Sequence, residues 1–434
     1  MKTKIGNVRW IICSLVFFAT TINYLDRAVI SLLKSTLSLE FNWNDGDYAN
    51  IEIAFKICYA IGLFLAGRII DKIETKKGYS LASFFWSVTA ILHGFANNVI
   101  GFIFVRSALG LTESGNFPAA IKTIAEWFPI KERALATGIF NSGANIGAVL
   151  APLTVPFIAV YFGWQWAFYI TGFLGIIWVF FWQKMYYPPN KHPRLSKSEL
   201  DYILMDNNQH INHISTPFQT KFTWQKLLSY KQTWAFIIGK FLTDAIWWFY
   251  LFWLPDFLES QYKIKGTALA LPLAVVYTIS IFGSVFGGYL PLKLIENGWT
   301  IFKARKTAMF IYALCVIPII FAQAGGTISI VYAVSIIGIA AAAHQAWSAN
   351  IFTTVSDMFP KSTIATVTGI GSTFGALGGI FLSLFVQKKL FVYYRAINQI
   401  EVAYYIMFAW CALAYIFAWT IMHILVPKVN VINE

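Results

Sequence analysis

Twelve apolar stretches recur along this chain, each close to the roughly 20 residues a helix needs to cross a bilayer core of about 30 Å. They run over residues 9–32, 47–70, 78–97, 99–124, 134–160 and 165–187, then 231–258, 267–292, 305–325, 328–353, 362–387 and 402–426. Lipid is therefore the solvent for most of the polypeptide. Backbone polar groups must be satisfied within each crossing segment, so the expected fold class is an all-α integral membrane protein. Composition agrees: of 434 residues, 58% are hydrophobic and 12% charged, where a soluble domain carries about a quarter charged residues.

The net charge of +13 by itself fits a nucleic-acid binder, but its placement gives another reason for it. With the N-terminus inside, 23 of the 33 lysines and arginines fall in inner segments and six in outer ones. That asymmetry is the positive-inside bias of a membrane protein, and it puts both termini on the inner side. Lys2, Lys4 and Arg9 precede an apolar run as in a signal peptide. The run leads into Asn23-Tyr24-Leu25-Asp26-Arg27 with no small-residue cleavage pattern, so a retained first helix is expected. The four cysteines (Cys13, Cys58, Cys315, Cys411) lie scattered in apolar stretches. They read as small buried hydrophobes and exclude a secreted disulfide scaffold.

The chain repeats itself. Glu126-Trp127-Phe128-Pro129 and Asp357-Met358-Phe359-Pro360 are 231 residues apart. The same offset relates Thr137-Gly138-Ile139 to Thr368-Gly369-Ile370, and Gly147 to Gly378. Duplication of a six-helix unit explains this. It predicts one bundle over residues 1–187, an inner linker over 188–230 and a second bundle over 231–434. After the second span, Gly62, Gly67, Arg68, Asp71, Lys72 and Gly78 mark a tight charged turn, with Gly283, Gly287 and Gly288 a weaker counterpart. Close helix packing with gate contacts on the inner side is one reading; a plain positively charged turn is the other.

Four cations fall inside spans: Arg27, Lys56, Arg106 and Lys240. An ionisable group at mid-membrane costs at least about 2.5–3.5 kcal/mol, so each should face a cavity or a partner. Arg106 and Glu113 are seven apart, on nearly one helix face, and differ in height by roughly 10 Å. Arginine suits a carboxylate because its planar fork gives two parallel charge-assisted bonds, and a glutamate in low dielectric can carry a proton. A structural ion pair to a neighbouring helix is the competing reading. Adjacent Asp26 and Arg27 point about 100° apart and each needs another helix. Asp26 is expected to neutralise Arg106 in the empty protein, with Arg27 on the anion. Lys56 is either a second positive contact or an i,i+4 partner of Glu52, while Tyr24 and Tyr59 offer hydroxyls. Lys240 and Asp244 have the spacing of an intrahelical salt bridge. The following Trp247, Trp248 and Tyr250 are read as sugar-stacking or lipid-facing aromatics. The 231 offset maps Glu113 onto His344 and Asn116 onto Trp347. Gln345, Trp347 and Asn350 then offer an apolar face with amides for hydroxyl recognition. His344 is read as a neutral hydrogen-bonding group before a titrating one, and Asn145 is a further polar candidate.

Four segments carry a family resemblance over essentially the whole chain. They are Asn23–Arg27, Glu113-Ser114-Gly115-Asn116-Phe117-Pro118-Ala119-Ala120 leading to Glu126–Pro129, Gly239–Asp244 with Trp247–Tyr250, and His344–Asn350 followed by Ser356–Pro360. The sequence resembles the major facilitator superfamily, its anion:cation symporter branch, and within that the bacterial hexuronate transporters. The resemblance implies twelve helices in two pseudo-symmetric bundles, and a monomer in a bacterial cytoplasmic membrane. It also implies Arg27 and Arg106 as substrate contacts and Asp26 and Glu113 as proton carriers. Lys56 departs from that pattern, where a neutral residue is more usual. No phosphate-binding glycine loop is present. The expectation is therefore a proton-driven symporter for glucuronate or galacturonate, with no cofactor and no bound metal. A hexonate such as galactonate, another organic or inorganic anion, and a non-transporting sensor are the alternatives. An enzyme lacks support, because no metal cluster or nucleophile–base spacing occurs.

Overall fold

The computed structural model describes residues 6–205, 222–264, 266–326, 329–382, 384, 388–428 and 432. Among these there is no β-strand. Long helices follow one another: α1 (Val8–Leu32), α2 (Asp45–Ile73), α3 (Thr75–His93), α4 (Val99–Glu113, continuing as Asn116–Trp127), α5 (Ile130–Phe162) and α6 (Trp164–Met185). The second series is α7 (Lys231–Tyr262), α8 (Ala270–Glu296), α9 (Ile301–Val316), α10 (Ile330–Met358), α11 (Ile364–Phe381) and α12 (Ile400–Leu425). Short helices at Lys34–Phe41, Lys197–Ile203, Trp224–Leu228 and Lys388–Ala396 lie between them.

Among the described residues, nine helices are individually long and apolar enough to cross a membrane, and α7 makes a tenth if its 48° bend is counted as one span. The other two predicted spans correspond to α3 and α4. α3 opens with Lys76 and Lys77 and carries several hydroxyls. α4 is not the continuous span predicted over 99–124, because it breaks at Ser114–Gly115. Around Pro318, α9 passes into a tighter turn over Ile317–Phe321 before the helical segment Ala322–Gly326. Local signals set several helix starts. Asn44 accepts from Asp47 N while the Asp47 side chain accepts from Asn44 N, a reciprocal cap that opens α2. The Asn98 side chain accepts from Gly101 N at the start of α4.

The chain forms two compact units. The first holds Met1–Phe222 with Val355–Ile370 and Val431–Glu434, and the second Thr223–Thr354 with Gly371–Asn430. In the first, α1 packs on α5, α2 on α4 and α3 on α6. A methyl group at Gly147 would overlap the Thr21 carbonyl, and one at Gly110 the Phe55 carbonyl, so glycine is what lets these backbones approach. The second unit repeats the scheme: Gly378 of α11 abuts the Phe241 carbonyl of α7, and Gly283 of α8 abuts Ala342 of α10. The Gly147–Gly378 repeat is thus one packing device used in both units. Phe104, Val160, Phe181, Phe282 and Phe286 are exposed on outer faces, where lipid accepts them.

Candidate functional site

In the first unit, α1, α2 and α4 bring the intramembrane charges together. Because Gly110 lets α2 lie close to α4, Glu52 reaches Arg106, whose Nη2 donates to Glu52 Oε1 at 3.1 Å. The same nitrogen donates to the Arg27 carbonyl at 3.0 Å. Arg106 is fully buried, and its Nε and Nη1 have no hydrogen-bond partner. Arg27 donates from Nε and Nη2 to Glu113 Oε2, at 3.1 and 3.0 Å. Glu113 is buried, with Oε1 unpartnered, whereas the Arg27 side chain keeps 24% of its surface open.

Aromatic rings hold the two guanidiniums. Arg27 lies over Tyr59 at 4.6 Å, Tyr24 at 4.9 Å and Phe55 at 5.3 Å, and Arg106 lies over Phe55 at 4.5 Å. Such contacts gain strength as the cation is desolvated. Phe55 is the site residue that sequence reasoning missed. Its only signal was a position between Glu52 and Tyr59 on the same helix.

Asp26 differs from expectation. Its carboxylate is buried with neither oxygen hydrogen-bonded, and its polar neighbours are Thr171 of α6, Glu113 and Arg106. The hydrogen-bonded anion on Arg106 is Glu52 instead, because α2 packs directly against α4. Lys56, half-buried, has Glu52 and Arg106 as its charged neighbours. Asn145 is buried on α5, beside the Gly143 and Gly147 contacts with α1.

The second unit gathers its own candidates. His344 stacks on Trp247, with centroids 4.9 Å apart and planes 6° from parallel, and its Nδ1 hydrogen-bonds the Tyr415 hydroxyl at 2.5 Å. Trp347 meets Tyr415 edge-on at 5.5 Å. Trp247 is thus engaged with His344 and Tyr250 is buried, so neither matches the lipid-facing reading. Asn350 donates to the Gly287 carbonyl at 2.7 Å and the Ala346 carbonyl at 2.9 Å, so its amide N–H groups serve the α8–α10 contact. Lys240 Nζ lies 2.7 Å from Asp244 Oδ2 and 4.0 Å from the centre of the Phe352 ring. Gln345 is buried, and Trp248 is half-buried with its ring against Gly379.

Back in the first unit, Asp71 of the charged turn has specific partners. Lys122 Nζ donates to Asp71 Oδ1 at 2.9 Å, and Thr366 donates to Oδ2 from its N–H at 2.7 Å and its hydroxyl at 2.5 Å. Thr366 lies in the first turn of α11, where a carboxylate complements the free N–H groups and the helix dipole. Asp71 therefore does more than punctuate a charged turn. His210 and His213 of the linker lie outside the described residues. Among the described residues, no three His, Cys, Asp or Glu side chains gather as a metal site would require.

Comparisons with known proteins agree with this architecture. The Major Facilitator Superfamily model matches residues 16–383. The hexuronate transporter of Escherichia coli K12 is 31% identical over 386 residues, covering 88% of each chain. The galacturonate transporter of Dickeya chrysanthemi is 32% identical over 289 residues, 67% of this chain and 83% of its own. A D-galactonate transporter from E. coli O6:H1 is 28% identical over 88% of this chain and 89% of its own. Among solved structures, the proton:xylose symporter XylE bound to 6-bromo-6-deoxy-D-glucose superposes with a TM-score of 0.74 at 16% identity, covering 95% of this chain and 96% of that one. That likeness speaks to the fold. These relatives are transporters and not enzymes. With a superfamily match across most of its length and the same helix pairing in both units, this chain belongs to the Major Facilitator Superfamily.

Proposed function

We propose that this protein is a proton-coupled symporter that imports a sugar acid, a hexuronate first of all, by alternating access. The observation that carries the proposal is the Arg27–Glu113 pair: a carboxylate-binding cation, partly open, held by a buried glutamate with one unpartnered oxygen. Protonating Glu113 weakens its hold on Arg27 and leaves a guanidinium for an incoming carboxylate. Binding of the anion and of the proton then require each other, which is the condition for symport. Arg106, with two buried N–H groups unpartnered, supplies further positive charge close by. Asp26, buried beside the Thr171 hydroxyl, is the second proton carrier of the proposal. Tyr24 and Tyr59, stacked on Arg27, keep its plane oriented.

The relatives with the higher identities are named for hexuronate and galacturonate, and this supports a uronate ahead of a hexonate. The proposal also places the protein as a monomer in a bacterial cytoplasmic membrane; for its orientation, both termini inside, the 23-to-6 distribution of inner and outer cations is the support. It needs no cofactor, because a proton gradient supplies the driving force.

The test is substrate-induced proton uptake by purified protein in proteoliposomes, with glucuronate, galacturonate, galactonate, glucarate and an inorganic anion as arms. Uptake with either uronate supports the proposal. Uptake only with galactonate or glucarate moves the substrate to another sugar acid. Absence of both uptake and counterflow with every compound overturns transport.

A further inference from the structure

Lys303 and Lys306 lie in the first two turns of α9, and His423 and Lys428 lie at the far end of α12, all in the second unit. Lys306 ties the two helix ends together. Its Nζ donates to His423 Nδ1 at 3.0 Å and to the Val426 carbonyl, and its own carbonyl accepts from Trp419 Nε1 at 2.9 Å. His423 stacks on Trp419, with centroids 5.0 Å apart and planes 5° from parallel. Lys303 lies over Trp299 at 4.6 Å, and Lys428 is exposed just beyond Val426.

Other lysines of this chain have a carboxylate: Lys122 has Asp71, Lys240 has Asp244 and Lys293 has Glu296. Among the described residues, none stands within ion-pair distance of Lys303, Lys306 or Lys428. The acceptors of Lys306 are instead a ring nitrogen and a carbonyl. An ammonium can only donate, so His423 Nδ1 accepts, and the neutral ring carries its proton on Nε2 as a further donor. α9 also opens with no acidic residue in its first turn, at the positive end of the helix dipole. Three ammonium groups and a ring donor thus gather without a negative group, a field that draws an anion.

The surface beyond the charges indicates which anion. Phe310 and Leu314 stand about two and three turns past Lys303 on its face of α9. Both are exposed, and Phe310 packs on Trp419 at 4.7 Å. A soluble anion uses the charges alone, whereas a phospholipid uses the charges for its headgroup and the apolar face for its chains. Tryptophans such as Trp299 and Trp419 are common at the level where headgroups meet hydrocarbon. We infer that this corner of the second unit is a headgroup site for an anionic phospholipid of the inner leaflet. Lys303, Lys306 and Lys428 hold the phosphate, His423 Nε2 donates to it, and the acyl chains lie along Phe310 and Leu314. The site is independent of which acid is carried, and it takes from the proposed orientation only the choice of leaflet.

Native mass spectrometry of the full chain in detergent tests this, titrated with phosphatidylglycerol, with phosphatidylcholine and inorganic phosphate as the other arms. Wild-type protein should bind phosphatidylglycerol ahead of phosphatidylcholine, and inorganic phosphate should not displace the lipid. A lysine beside an anionic headgroup is worth about a fivefold change in affinity. Lys303→Gln/Lys306→Gln/Lys428→Gln should therefore weaken binding of the first phosphatidylglycerol by about a hundredfold. Lys77→Gln/Lys191→Gln/Lys197→Gln removes as many exposed lysines of the inner segments and should bind as wild type. If the first triple variant does not fold, Lys303→Gln/Lys428→Gln, which keeps the bonds of Lys306, should still lose about 25-fold. Equal losses in the two triple variants overturn the inference, since a general basic surface then accounts for binding. Equal affinity of wild-type protein for phosphatidylcholine overturns it as well. Displacement of the lipid by inorganic phosphate at matched concentration makes the occupant a soluble anion and also overturns it. No sugar acid enters the measurement, so the site stands or falls apart from the transport reading.

Discussion

Arg27 of α1 donates two hydrogen bonds to a single oxygen of Glu113 on α4, at 3.1 and 3.0 Å, and leaves the other oxygen buried and without a partner. The pair ties together the residue proposed to bind anion and the residue proposed to carry the proton. What happens to one is then felt by the other, without any motion of a helix.

Glu113→Gln keeps the shape and one acceptor but abolishes titration. Uphill accumulation driven by a proton gradient should be lost, while substrate exchange across the membrane persists. Wild-type uptake should decline as external pH rises, because the anion binds productively only after the carboxyl has taken up its proton, and the variant should lose that dependence. Gradient-driven uptake and counterflow, each measured across a pH series, check both statements. Intact uphill transport by the variant would remove Glu113 from coupling.

Arg106→Ala should reduce uptake by roughly 100-fold or more, since it removes charge-assisted bonds worth about 1.5–3 kcal/mol each and leaves the half-buried Glu52 without this partner. Arg106→Lys should not restore activity, because a point charge lacks the planar fork whose unpartnered Nε and Nη1 can meet a carboxylate. Initial uptake rates over a range of substrate concentrations check this, and near-normal uptake by Arg106→Ala would take it out of the site.

These pairings show where a sequence stops being readable. Lys240 and Asp244 lie on one helix, so their spacing alone allowed the salt bridge that the fold contains. Glu52 and Arg106 are 54 residues apart, and their pairing depends on which faces of α2 and α4 meet. Gly110 is the residue that settles that contact, yet a glycine in an apolar helix does not announce which neighbour it admits. The same limit explains why Asp26 was the expected partner of Arg106 and why Phe55 went unnoticed. Spans are written in the periodicity of apolar residues within a segment; the partners of their charges are written in the packing between segments. Asn350 illustrates a further limit, since a buried amide suits a sugar hydroxyl and a helix carbonyl equally well, and here it bonds two carbonyls.

Asp71→Asn should lower thermal stability more than it lowers substrate affinity. The carboxylate joins Lys122 to the first turn of α11 through the Thr366 N–H and hydroxyl. An amide retains one acceptor but loses the charge that both the lysine and the helix N-terminus favour. Loss of a helix cap costs about 0.5–2 kcal/mol, and the stranded Lys122 adds to that because it is buried. Thermal unfolding in detergent, compared with half-saturation for uptake, separates the two effects. A variant with unchanged melting temperature would show that Asp71 anchors nothing.

Glu199 offers the last test, at the start of α1. This residue sits on the short helix Lys197–Ile203 after α6, is fully buried, and accepts hydrogen bonds from Val8 N at 3.2 Å, Arg9 N at 3.1 Å and Arg9 Nη1 at 3.1 Å. Asn7 makes no side-chain cap of its own, so a carboxylate from elsewhere in the chain satisfies the free N–H groups of α1. Arg9 also donates to Glu132 at the beginning of α5, with Nε at 2.9 Å, and Tyr202 donates to the same glutamate at 2.6 Å. The linker helix is thereby fastened to α1 and α5 together. Glu199→Gln should destabilise this end by roughly 1–3 kcal/mol, the cost of weakening charge-assisted bonds to buried donors. Hydrogen exchange of the amides at Val8 and Arg9 should quicken, while exchange at the Arg27–Glu113 level of α1 and α4 stays as in the wild type. Because Arg9 retains Glu132, the double variant Glu199→Gln/Glu132→Gln should lose more than the sum of the single changes. Additive losses would mean that the two glutamates act on Arg9 independently, and unchanged exchange at Val8 would mean that the linker helix does not cap α1.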